Sequence, residues 1–155
     1  RRAPRRESRV LLLVVVAIIG LLASLVIVSL GNARLKSRDA KRLSDMGQVK
    51  SGMDIYYSLG SGYPAVADWN TAQTNHAQLS CSGQPAFVVP QDPKYNGDPT
   101  FTYTYTAVGT GISGCGSTVY PDYKVRFQTE GITSLGSAGI YYLSPKGLTS
   151  TDPYP

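Results

Sequence analysis

Two cysteines, one histidine and a scatter of loop aspartates are the residues whose chemistry has to be weighed first in this chain. Cys81 and Cys115 suit no zinc site, because neither a second pair of cysteines nor a nearby pair of histidines completes the four ligands zinc takes. A Cys-His or Ser-His-Asp centre would depend entirely on His76, which stands in a polar stretch and reads as structural or exposed. Asp92, Asp98 and Asp122 carry oxygens of the kind calcium binds, yet no EF-hand spacing connects them, and isolated loop aspartates ordinarily make turns. Calcium is therefore a weak expectation at these three residues, and no other metal or cofactor is expected. Gly109, Gly111 and Gly114 form neither a phosphate loop nor a dinucleotide fingerprint and read as turn residues. The chemistry-bearing residues thus predict a protein that is not an enzyme.

The elements that must position these residues begin with an apolar run. Val10 to Leu30 is 21 residues without a charge, mostly aliphatic. At about 1.5 Å per residue it makes roughly 31 Å of helix, matching a hydrocarbon core about 30 Å thick. Five arginines precede it (Arg1, Arg2, Arg5, Arg6 and Arg9), so the positive-inside bias keeps the N-terminus cytoplasmic and sends everything after Leu30 across the membrane. A cleaved signal peptide competes for the same run, with Gly31-Asn32-Ala33 as its small-residue site. An ordinary signal h-region, however, is only about 7 to 15 residues long. A buried core helix fits worse, because too little chain remains to wrap a helix apolar all round. Once exported to an oxidising exterior, Cys81 and Cys115 are expected to pair, which the chain-entropy model values at roughly 4 kcal/mol.

Charge is unevenly spread. Residues 1 to 50 hold 11 Lys/Arg against 3 Asp/Glu, and residues 51 to 155 hold 4 against 7, so the overall +5 hides an exported part at −3. Nucleic-acid binding through a broad basic face is disfavoured; only the cluster Arg34, Lys36, Arg38, Lys41 and Arg42 offers itself to phosphates.

After Leu30 no proline appears until Pro64, and Leu35, Leu43, Met46, Val49, Met53 and Tyr56 or Tyr57 recur at helical spacing. The opposite face carries Arg34, Lys36, Arg38, Asp39, Lys41, Arg42, Asp45 and Lys50. It reads either as a solvated face, with Arg38 and Arg42 near Asp45, or as a surface that pairs with neighbouring copies. Gly60, Gly62 and Pro64 end the helix. Beyond them Thr100 to Thr106 alternates strictly, with Phe101, Tyr103 and Tyr105 facing one way, and Tyr123, Val125 and Phe127 define a second strand. Ile140 to Leu143 is a third strand, Ala86 to Val89 a short edge strand, and a connector carries Cys81. The sum is an antiparallel meander covered by the helix stripe Leu43, Met46, Val49, Met53 and Tyr56.

VVVAIIG (Val14 to Gly20), LLASLVIVSL, ARLKSRDAKRLSDMGQVKSGMDIYY and SGYP (Ser61 to Pro64) resemble the N-terminal helix of type IV pilins and type II secretion pseudopilins. VPQDPKYNG (Val89 to Gly97), YKVRFQTE (Tyr123 to Glu130) and YYLSPKG (Tyr141 to Gly147) resemble parts of the same family's head more weakly. The resemblance implies an α+β, pilin-like lollipop: one long N-terminal helix over about residues 8–58, packed on a small antiparallel sheet head. It also implies subunits that wait in the inner membrane and then pack their apolar helices into the core of a filament. Some pseudopilins hold calcium in a head loop, which is what raises the aspartates above. The family's core glutamate and cleavage glycine are replaced here by Leu11 and Arg6, with Glu7 one helical turn before Leu11. A variant that skips processing, a special place such as a filament tip, and a non-native first ten residues all stay open as explanations.

The expected organisation is a basic leader-like segment (1–9), a transmembrane and filament-core helix (10–30), its amphipathic continuation (31–60) and a β-sheet head (61–155). Leu11, Leu12, Leu13, Val14, Val15, Val16, Ile18, Ile19, Gly20, Leu21, Leu22, Leu25, Val26 and Ile27 are the expected filament core. The expected function is that of a pilin subunit of an extracellular type IV filament, first held in the bacterial inner membrane and then displayed at the cell surface. Its partners would be identical copies, with the assembly machinery and prepilin peptidase implied by the resemblance. A pseudopilin of a secretion system and a monomeric, signal-anchored binding domain are the rivals.

Overall fold

The computed structural model describes residues 5–95 and 99–155. The fold is α+β: one long N-terminal helix followed by a short helix and small antiparallel sheets. By internal contacts the chain divides into two compact units, Arg1–Lys36 and Ser37–Pro155. Helix α1 runs Arg5–Gly60, 56 residues without an internal proline, so no backbone donor is missing along it. It ends where Ser61 turns left-handed (φ 56°) and its N–H donates back to the Tyr57 carbonyl.

In the first unit, every large apolar side chain described between Val10 and Leu30 is exposed, by 47% to 71%. This is the one described helix long and apolar enough to cross a bilayer.

The second unit holds the hydrophobic core. Strands β3 (Thr104–Val108), β6 (Asp122–Thr129), β7 (Gly139–Ser144) and β8 (Gly147–Thr149) form one antiparallel sheet in the order β3-β6-β7-β8. Along β6 the alternation is complete: Tyr123, Val125, Phe127 and Thr129 are buried, while Lys124, Arg126 and Gln128 lie on the other face. The register sets Tyr105 opposite Val125 and Val125 opposite Leu143, which lines the buried face across three strands. Met46, Val49, Met53 and Tyr56 of α1 join these residues in a single core cluster, with Leu43 half-buried against it, as the helical stripe predicts.

Several elements differ from the sequence expectation. The Thr100 strand begins only at Thr104: Pro99–Phe101 winds into a 3-10 turn and Tyr103, though buried, precedes the strand, so of the three aromatic residues only Tyr105 lies in β3. Cys81 sits in strand β1 (Gln78–Cys81), not in a connector, and β1 pairs with β2 (Gln84–Val88) as a separate hairpin that takes in Ala86 to Val88 of the expected edge strand. Strands β4 (Ile112–Gly114) and β5 (Ser117–Val119) make another hairpin, so the sheet part is three small sheets, not one meander. Gly114 lies within β4. The sequence pattern also passes over α2 (Val66–Asn75), which buries only Trp69 and Ala72. His76 closes that helix in left-handed conformation (φ 50°), its N–H donating to the Ala72 carbonyl, so its role there is a cap.

The core is rich in aromatic rings. Trp69 stacks on Tyr105 at 4.9 Å and Tyr63 meets Tyr123 edge-on at 4.6 Å, geometries that add to plain area burial. Tyr63 and Tyr120 exchange two backbone hydrogen bonds, tying the chain after α1 to the start of β6. The Cys81–Cys115 disulfide joins the two hairpins beside Gly60, where a Cβ would run into the Cys115 sulfur.

Candidate functional site

The charged face of α1 is not simply solvated. Asp39, Arg42, Met46, Val49, Met53 and Tyr56 are spaced three or four apart, so the first two are carried on the buried stripe by helical geometry alone. Arg42 is wholly buried. Its Nε and Nη2 donate to the two carboxylate oxygens of Asp92 at 2.6 and 2.9 Å, the bidentate fork a guanidinium is shaped for. Its Nη1 donates to Asp39 at 2.7 Å and to Glu130 at 2.8 Å. Burial opposes the charge on Arg42, and the hydrogen bonds from these three carboxylates outweigh it, so its pKa is raised.

Glu130, one residue past β6, is shared. Arg38 binds both its oxygens at 2.8 Å, and Lys94 approaches at 3.3 Å. Held chiefly by Arg38, against the opposing effect of burial and with help from Arg42 and Lys94, its carboxyl titrates at about 2. Asp39 accepts the backbone N–H of Glu130 at 3.0 Å and that of Gly131 at 2.8 Å, and so caps the end of β6. One side chain of the helix thereby fixes the axial position of a strand. Phe101 completes the site: Arg42 lies 5.1 Å and Lys94 4.1 Å from its ring centre, which explains why the ring has left the sheet. A turn further along, Asp45 accepts the Tyr103 hydroxyl at 2.9 Å and Lys41 at 2.8 Å. Burial first and Asp45 second push the Tyr103 phenol far above its ordinary range.

These contacts correct the pairing expected from the sequence. Asp45 pairs with Lys41, while Arg38 and Arg42 turn to Glu130, Asp92 and Asp39. The residues that sequence reasoning missed are Glu130 and the partner role of Asp92. The available signal was the pair Asp39 and Arg42 in register with the apolar stripe, which demands opposite charges from elsewhere in the chain.

The calcium candidates do not gather. Asp92 is committed to Arg42 and to the Lys94 N–H, and Asp122 accepts the Tyr123 N–H and the Tyr154 hydroxyl. Asp98 lies outside the described residues. Among the described residues no group of three or more His, Cys, Asp or Glu is arranged to hold a metal. The cation at Asp92 is a guanidinium of the chain itself. Cys81 and Cys115 are paired.

Leu11, Leu12, Leu13, Val14, Val15, Val16, Ile18, Ile19, Leu21, Leu22, Leu25, Val26 and Ile27 are exposed around the helix of the first unit, and a Cβ at Gly20 would meet open space. Leu11 therefore presents an aliphatic side chain where the family resemblance has a carboxylate. No family model matches the chain, and no curated protein or solved structure matches it either.

Proposed function

We propose that this chain is a structural subunit that is held in a membrane by Val10 to Leu30 and assembles through the same residues into a pilin-like filament. The observation that carries this reading is the belt of exposed aliphatic side chains, among the described residues, on a regular helix. Such a surface is costly in water and is satisfied equally by lipid tails or by copies of itself, so transfer from bilayer to filament core changes apolar burial little. Contacts that repeat head-to-tail do not close, and identical subunits then give a filament. The disulfide suits an oxidising exterior, and the buried ion network suits a unit that has to stay folded there. In this reading the partners are further copies of the chain, together with the assembly machinery and peptidase of the family it resembles. The same surface would serve a short secretion pseudopilus.

Electron microscopy of filaments sheared from cells, with mass spectrometry of their subunit, tests the proposal. Filaments containing this chain are the expected result. A chain recovered solely as detergent-soluble monomer, from cells without filaments, would overturn it in favour of a membrane-anchored single module.

A further inference from the structure

The five cations that follow the apolar run do not share one fate. Arg38 gives its fork to Glu130, Lys41 is bound to Asp45, and Arg42 is buried among three carboxylates. Arg34 and Lys36 are different: both are exposed, and neither forms an ion pair with any described residue. They stand four and six residues past Leu30 on unbroken helix.

Their position along the helix has a counterpart at the other end of the run. Arg9, also exposed, precedes Arg34 by 25 helical steps, roughly 37 Å at the α-helical rise. A bilayer has a hydrocarbon core of about 30 Å and measures about 40–45 Å with its headgroups, so this separation places the two arginines at the two phosphate levels. Arg34 and Lys36 are two residues apart, about 200° around the helix, and point to opposite sides of it. Whatever the rotation of the helix, two different lipids are within their reach.

We infer that Arg34 and Lys36 bind the phosphate headgroups of anionic phospholipids, in the leaflet on the side to which residues 37–155 are exported. The inference rests on the membrane-held stage of the function proposed above. Nucleic-acid phosphate is the competing ligand for the same cations. Two cations neutralise only about two phosphates and give weak, salt-sensitive binding, whereas lipid phosphate is already at hand at this depth of the helix. The inference also supplies a reason why this pair is left out of the chain's own ion network. Headgroup contacts hold the subunit at a fixed depth until assembly exchanges them for neighbouring subunits.

The experiment uses the full chain in bilayers of phosphatidylcholine and phosphatidylglycerol, with either lipid carrying a photoactivatable headgroup and crosslinks mapped by mass spectrometry. At low ionic strength, phosphatidylglycerol is expected to label residues 31–37 in preference to phosphatidylcholine. That preference should fall about fivefold in Arg34→Gln, by a similar factor in Lys36→Gln, and be lost in the double variant. Lys41→Gln should leave it unchanged, and 0.5 M salt should suppress it in the parent. Equal preference in parent and double variant would overturn the inference. So would a duplex oligonucleotide whose binding is abolished by the double variant while the lipid preference persists. An acyl-chain probe keeps the two proposals apart: labelling of residues 10–30 without headgroup preference defeats the headgroup site alone. Absence of that labelling defeats the membrane-held stage itself.

Discussion

A guanidinium with no exposed surface keeps its charge only where carboxylates replace the water it has lost, and Arg42 has three of them. The pairing adds little net stability over an apolar side chain of similar size, but breaking it from one side leaves carboxylates buried without a partner. Arg42→Met is therefore expected to cost about 3–5 kcal/mol. The loss is measurable as a fall in the urea midpoint of the second unit, followed through Trp69, the sole and fully buried tryptophan. Glu130 makes the same network sensitive to acid. Its folded pKa of about 2 lies below the ordinary 4.5, so its contribution to stability is complete above pH 4.5 and drains away as the pH falls through 2. The loss should approach about 3 kcal/mol, and Glu130→Gln should flatten the stability profile over that window. Chelation of divalent cations should leave the melting temperature unchanged, since Arg42 supplies the positive charge at Asp92. A fall of several degrees on adding chelator would show that a metal contributes.

Among the elements, α1 and β2 meet at one glycine. A Cβ at Gly52 would run into the ring of Phe87, whereas a Cβ at Gly47, on the same helix, meets nothing within 4 Å. Gly52→Ala should therefore lower stability by about 1–3 kcal/mol through overpacking. Gly47→Ala should raise it by roughly 0.5–1 kcal/mol, because alanine loses less backbone freedom in a helix. Thermal melts of the two variants side by side check both signs. The disulfide works between elements as well: it ties the β1–β2 hairpin to the β4–β5 hairpin at the end of α1. Replacing both cysteines by serine should cost about 2–4 kcal/mol, seen as a lower urea midpoint that reducing agent no longer changes.

At the scale of the whole molecule, the two units obey different rules. The second buries its apolar core within itself, and the first leaves its large apolar side chains exposed among the described residues. Ile18, exposed midway along that surface, is the position at which one charge does most damage. Ile18→Lys should abolish filaments, since an unpaired charge in an apolar core costs several kcal/mol, while the second unit keeps its melting temperature. Filaments of normal length in that variant, counted by electron microscopy, would contradict assembly through this helix.

The long helix, the strands β6 and β7, and the stripe Met46, Val49, Met53 and Tyr56 were legible in the residues alone, because hydrophobic period and the absence of proline are local properties. So was the apolar run, whose meaning depends on length and composition only. The helix α2 was not, because two buried side chains in ten residues leave almost no period. Phe101 misled the strand reading: its spacing from Tyr103 is that of a strand, but Arg42 and Lys94 draw the ring into a turn. The charged stripe looked like a surface because charges usually are one. Only tertiary structure brings Asp92 and Glu130, 50 and 88 residues away in sequence, onto Arg42, and so turns a helix face that composition would leave in water into the clamp of the second unit.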